Sequence, residues 1–137
     1  YELLTGNNIN ARYKAAKAWS IWEASTSKLI QNKKSLHHFE NENIADIFAR
    51  IECHYFINEG FFEYDGWLLD QIDIIRHIPC VIVQGRYDVV CPMITAWELH
   101  KKWPEAEFHI IQDSGHSMLE AGIRDKLIEY TNKYANL

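Results

Sequence analysis

Cys80-Val81-Ile82-Val83-Gln84-Gly85-Arg86-Tyr87-Asp88-Val89-Val90-Cys91-Pro92 is the stretch on which the fold turns. Its first five residues are a short run rich in β-branched side chains, closed by Gly85, and they read as a buried strand. Pro92 then opens a helix over Met93 to Trp103, because a proline is tolerated in the first turn of a helix. Pro104 follows its end. Glu107-Phe108-His109-Ile110-Ile111 reads as a second strand, Asp113-Ser114-Gly115 as a turn, and Leu119 to Tyr134 as a last helix. Ile123, Leu127, Ile128 and Tyr130 lie on or near that helix's apolar face. Strand, helix, strand, helix implies a right-handed βαβ unit with a parallel strand pair. Two parallel strands make a poor sheet alone, since parallel sheets need both faces covered and neighbours on their edges. The sheet is therefore expected to continue in residues outside this sequence. A chain that starts at Tyr1 rather than Met agrees with that expectation.

Upstream the texture changes. Ile9 to Ile30 reads as a helix capped by Asn8 or Asn10, with Tyr13, Ala16, Trp19 and Glu23 on one face. Asn43 to Asn58 reads as another, with Ile44, Ile47, Phe48, Ile51 and Tyr55 at helical spacing and Gly60 as its stop. The polar segment 35–41 between them reads as a loop, and its His37-His38 pair has no further ligands with which to hold a metal. Trp67 to Ile75 reads as a short helix ending at the Pro79 break. By texture the chain divides into residues 1–78, helical, aromatic and charged, and 79–137, where short apolar runs alternate with helical patterns.

Composition narrows the function classes. The 137 residues are 47% hydrophobic and 24% charged, which is globular and not disordered. Net charge is −5, from 14 basic and 19 acidic side chains, so nucleic acid is not the expected partner. No apolar run approaches the length of a membrane span. The three cysteines, Cys53, Cys80 and Cys91, form no metal-like pair, and an odd count suits a reducing, cytoplasmic compartment.

Chemistry in open α/β sheets gathers at the carboxyl ends of the strands. Asp88 follows the first strand after a tight turn, and His116 follows the second, 28 residues later. Adjacent strand ends bring these two loops side by side. That is what a Ser-His-acid relay requires: a carboxylate to fix the imidazole tautomer, and an imidazole to act as base and then acid. The order acid-then-His is that of the α/β-hydrolases. An Asp in a turn and a His after a Gly are also common for purely structural reasons, so the pair stands as a candidate.

The decapeptide Val83 to Pro92, followed by Ala96-Trp97-Glu98-Leu99-His100, closely resembles the acid-bearing segment of prolyl aminopeptidases (proline iminopeptidases). Trp103-Pro104-Glu105-Ala106 and Asp113-Ser114-Gly115-His116-Ser117 resemble the same family. So do Ala15 to Glu23 and Ala49 to Asn58, which are similar to two of its cap helices. The resemblance implies the C-terminal part of an α/β-hydrolase, with its last parallel strands and helices (75–137) preceded by a mostly helical cap (1–74). It implies Asp88 as the triad acid and His116 as the base. Glu23 and Glu52 would hold the free α-amino group of the substrate, and Cys91 would line the pocket for the pyrrolidine ring. The implied reaction is release of N-terminal proline from peptides, with no metal and no organic cofactor.

Elementary electrostatics makes the two glutamates sensible ligands. Glu23 shares the face of Ala16 and Trp19; Glu52 lies midway between Phe48 and Phe56. A carboxylate in an apolar stripe is costly unless a cation joins it, and two converging on one ammonium would select an unblocked N-terminus. An internal ion pair of Glu52 with Arg50 or Arg12 is the alternative. Cys91 could equally be a small buried hydrophobe.

One catalytic group is absent. None of the six serines (Ser20, Ser25, Ser27, Ser35, Ser114, Ser117) lies in a Gly-x-Ser-x-Gly elbow, and no oxyanion-hole segment is present. These residues alone are therefore expected to be inactive, with the Ser in an N-terminal half outside this sequence. Two other readings stand beside this one. Another capped α/β-hydrolase, such as an esterase or epoxide hydrolase, would keep Asp88 and His116 without needing paired glutamates. The other is a stand-alone, non-catalytic fragment used for binding or assembly, which a soluble monomer with a sharp unfolding transition would favour; a lone piece of a larger sheet would instead expose a strand edge and apolar surface and self-associate.

Overall fold

The computed structural model describes residues 1–31 and 41–135. Lys33, Lys34, Ser35 and the His37-His38 pair lie outside the described residues, as does the expected loop but for Asn41. Two compact units emerge: 1–25 with 30–63, and 26–29 with 64–137.

The first unit holds α1 (Glu2–Thr5), α2 (Ile9–Thr26), α3 (Glu42–Ile57) and a 3-10 turn (Glu59–Phe61). Asn8 Oδ1 accepts from the Ala11 N–H at the start of α2, at 3.2 Å. Asn41 Oδ1 accepts from the N–H groups of Asn43 and Ile44 at the start of α3. Both follow from the need to satisfy the first, unpaired amides of a helix. The core is made of small residues: Leu4, Ala16, Ala45, Ala49 and Cys53, with Ala15 and Trp19 packed against it. Side chains this short let α2 and α3 approach closely enough for the Ser20 hydroxyl to donate to the Ala45 carbonyl. Arg12 Nε donates to the buried Asp46 at 3.0 Å, and Arg50 pairs with the same carboxylate at 3.6 Å.

Two expectations change here. The Ile44, Ile47, Ile51 and Tyr55 stripe is helical as expected, but it lies exposed while the Ala45, Asp46, Ala49 and Cys53 face is buried. Helix α2 ends at Thr26 and not at Ile30. Ser25, Thr26 and Ser27 are poor helix formers whose hydroxyls compete for backbone groups, and the Ser27 carbonyl is recruited elsewhere, as described below. After α3 the chain turns through Glu59, Gly60 and Phe61, all with positive φ. The four-residue helix α1 had no signal in the sequence.

The second unit holds α4 (Trp67–Asp70), α5 (Ile72–Ile75), β1 (Val81–Gly85), α6 (Met93–Lys102), β2 (Glu107–Ile111) and α7 (Ala121–Tyr134). The strands are parallel and in register from Val81 opposite Glu107 to Gly85 opposite Ile111. The single helix expected over Trp67 to Ile75 is two short ones, broken at Gln71. Ile72, Trp103 and Ala106 are buried with Cys80, Ile82 and Leu99 against them. The last helix starts two residues later than expected, because Glu120 is an extended N-cap whose carboxylate serves other amides. A polar clamp ties α7 to β2. Tyr130 donates to Glu107, His109 Nε2 lies 2.6 Å from the Tyr130 hydroxyl, and Lys133 pairs with Glu107.

Candidate active site

Strand β1 ends at Gly85, where the loop after β2 packs directly against it. A Cβ on Gly85 would stand 1.8 Å from the Gly115 carbonyl oxygen, so only glycine fits there. Beyond the strands the two loops continue to pair. The Arg86 N–H donates to the Ile111 carbonyl at 2.9 Å, and the Tyr87 N–H to the Ser114 carbonyl at 3.0 Å. This extension of the parallel ladder sets Asp88 against His116.

Asp88 sits at the head of an Asx-type turn. Its Oδ1 accepts from the N–H groups of Val90 at 3.0 Å and Cys91 at 2.8 Å. Its Oδ2 accepts from Gln84 Nε2 at 3.2 Å and faces His116 Nδ1 at 2.9 Å. The side chain is 6% exposed, against 39% for His116. A carboxylate with four partners on two oxygens has no freedom to rotate. Being acceptor-only, it fixes the proton of neutral His116 on Nδ1 and leaves Nε2 as the free lone pair. The pair can therefore take a proton at Nε2 from a group placed beside it. Gln84 also donates to the Cys91 carbonyl at 3.1 Å, which closes the turn around the acid.

The His116 loop is pinned from its other side by residues 27–29. His116 and Ser117 both donate their N–H to the Ser27 carbonyl, at 3.0 and 2.7 Å. Cys91 is exposed and contributes its backbone to the Asp88 turn.

Glu23 and Glu52 belong to the first unit. Both are half-buried, Glu23 one turn beyond Trp19 on α2 and Glu52 on α3. Trp19 Nε1 donates to Glu52 Oε2 at 2.6 Å, and the Trp19 ring lies 6.0 Å from that of Phe56. The expected alternative, an ion pair of Glu52 with Arg12 or Arg50, gives way to Asp46 as the partner of both arginines. Sequence reasoning missed Gln84, Glu120 and Asp46: Gln84 lies in the decapeptide but reads there only as strand, and Glu120 and Asp46 stand in no motif. Among the described residues, no group of three or more His, Cys, Asp or Glu side chains could hold a metal ion. No described helix is long and apolar enough to cross a membrane.

Comparison with known proteins bears directly on this arrangement. The chain is 56% identical over 134 residues to a probable proline iminopeptidase of Leptolyngbya boryana, covering 98% of the chain and 42% of that protein. It is 48% identical to a proline iminopeptidase of Arabidopsis thaliana (97% of the chain, 35% of that protein). It is also 48% identical to one of Xanthomonas citri (96% and 42%). The chain is homologous to the C-terminal part of proline iminopeptidases. It spans well under half the length of these relatives and matches their C-terminal part. No family model matches it. Among solved structures it resembles an esterase from Exiguobacterium antarcticum, with a TM-score of 0.56 at 17% identity over 96% of the chain and 48% of the esterase. That likeness speaks to the fold alone, and the fold is the C-terminal portion of an α/β-hydrolase. The family is one of hydrolases.

Proposed function

We propose that this chain is the acid–base and substrate-binding part of a cytoplasmic serine aminopeptidase that releases N-terminal proline from peptides. The observation that carries the reading is the 2.9 Å pairing of Asp88 Oδ2 with His116 Nδ1 at the ends of two adjacent parallel strands. A Ser in an N-terminal half outside these residues attacks the prolyl carbonyl as His116 Nε2 removes its proton. The imidazolium, held by Asp88, then gives that proton to the departing amine. A water deprotonated by the same imidazole releases proline from the acyl-enzyme. Glu23 and Glu52 in the helical cap (residues 1–74) hold the substrate's secondary ammonium, and Cys91 lines the pocket of its ring. The sheet portion (75–137) supplies the relay, and no metal or organic cofactor takes part. Without the nucleophile, the 137 residues alone are inactive.

The test is a prolyl-anilide assay on the native polypeptide, with its intact mass measured in parallel. Hydrolysis of the free prolyl anilide, none of its N-acetylated form, and none by residues 1–137 alone is the expected outcome. Equal hydrolysis of both anilides sinks the aminopeptidase reading and leaves a less selective α/β-hydrolase.

A further inference from the structure

We propose that Glu120 is a positioning residue for His116. This rests on the reading of His116 as the base. Glu120 immediately precedes α7, and its half-buried carboxylate does not cap that helix. Instead Oε2 accepts from the Gly115 N–H at 2.8 Å, directly before His116 in the chain. Oε1 accepts from the Leu29 N–H at 3.0 Å, 91 residues away. One side chain thus staples the His116 loop to the segment 27–29. The Ser27 carbonyl makes the reciprocal bonds, accepting from His116 and Ser117. Together these contacts fix the backbone on both sides of the imidazole. Gly115 belongs to the same device. A Cβ there would meet the Leu29 nitrogen at 2.9 Å and Glu120 Oε2 at 3.3 Å, so a side chain would wedge the staple open.

The role is distinct from that of Asp88. Asp88 sets the tautomer and rotation of the ring, whereas Glu120 sets where the ring's own backbone stands. An ionised carboxylate suits this task, because both of its oxygens accept and two backbone donors are otherwise orphaned. An amide in its place can serve one donor and presents its NH2 to the other.

The experiment uses the native full-length polypeptide with Glu120→Gln, Glu120→Ala and, as a control, Asp125→Asn on the exposed face of α7. Two signals are read: kcat and KM on a free prolyl anilide, and the downfield proton of the His116–Asp88 hydrogen bond by NMR. Glu120→Ala should lower kcat about a hundredfold and Glu120→Gln about tenfold, as expected for a misplaced catalytic group. KM should move by less than about twofold, since substrate binding is untouched. The downfield proton should broaden or vanish in Glu120→Ala, well below its unfolding temperature, while Asp125→Asn matches the wild type. A folded Glu120→Ala that keeps both kcat and the proton signal overturns the proposal. Should Glu120→Ala fail to fold, Glu120→Gln decides on the same criteria. If the wild type cleaves no prolyl anilide, the proposed function fails, and the proton signal alone still judges Glu120.

Discussion

The two units hold their candidate carboxylates in opposite ways. In the second, Asp88 is locked by two backbone amides and Gln84, and it faces His116 through its remaining acceptor site. In the first, Glu52 is held at 2.6 Å by a single indole N–H, beside aromatic surface. A relay must keep one geometry through every proton transfer, so short local turns with backbone donors suit it. A recognition group need only present charge where water is scarce, and a helix face edged by aromatic rings does that without a dedicated loop.

The comparison breaks most visibly at the relay. Asp88→Asn keeps the shape of the turn but replaces an accepting oxygen with an NH2. In the full-length enzyme it should cost about three to four orders of magnitude in kcat, with KM for a free prolyl anilide nearly unchanged. A loss confined to KM would show that Asp88 serves binding instead. Glu52→Gln comes next. Its carbonyl can still accept from Trp19, so it removes charge without removing the fold. Loss of a charge-assisted bond of about 1.5–3 kcal/mol should lower kcat/KM on free prolyl anilides about tenfold to a hundredfold, with simple ester hydrolysis retained. Equal losses on both substrates would make Glu52 a structural residue.

A smaller effect concerns the thiols. Cys91 is exposed, Cys53 is buried, and burial pushes the half-buried Cys80 thiol up. Alkylation should label Cys91 first, and Cys91→Ser should abolish inhibition by thiol reagents while activity persists. Inhibition that survives in Cys91→Ser would remove it from the pocket.

The smallest effect lies in the clamp on α7. Hydrogen bonds from Lys133 and Tyr130 hold Glu107 below the usual carboxylate range. Its contribution is present above the ordinary carboxylate pKa and is lost as pH falls through the depressed value. Tyr130 is pushed up to about 12 by its hydrogen bond to Glu107. That contribution is complete below the ordinary tyrosine pKa and is lost as pH rises toward the raised one. The unfolding midpoint should therefore be level near neutrality and decline gently at both extremes. Glu107→Gln should flatten both declines; unchanged profiles would make the clamp irrelevant to stability.

Legibility in the sequence followed locality. The β-branched run at Cys80–Gln84, the Pro92 start and the Glu107–Ile111 strand are each local patterns, and the structure has both strands and the helix between them. The meeting of Asp88 and His116 was readable because parallel adjacency forces it once the strands are known. Glu120 and Gln84 were not, since their bonds depend on loop trajectories rather than on periodicity. The buried face of α3 is not readable from spacing for a related reason. Period-3.6 spacing finds both the Ile44–Tyr55 stripe and the Ala45–Cys53 stripe, but close helix contact selects the small residues. The hydroxyl run Ser25–Ser27 is the local signal for the end of α2 at Thr26, against the apolar residues after it.

The 1.8 Å that separates a virtual Cβ on Gly85 from the Gly115 oxygen also bears on how the site comes into being. The acid and base loops touch only when β1 and β2 lie in full register, and a helix separates those strands in the chain. Such pairing is non-local and slow to form. A slip by one residue would turn the side chains of one strand to the opposite face and part the two loops. Asp88 and His116 thus meet only in chains whose sheet has closed correctly, and misregistered chains lack the pairing altogether.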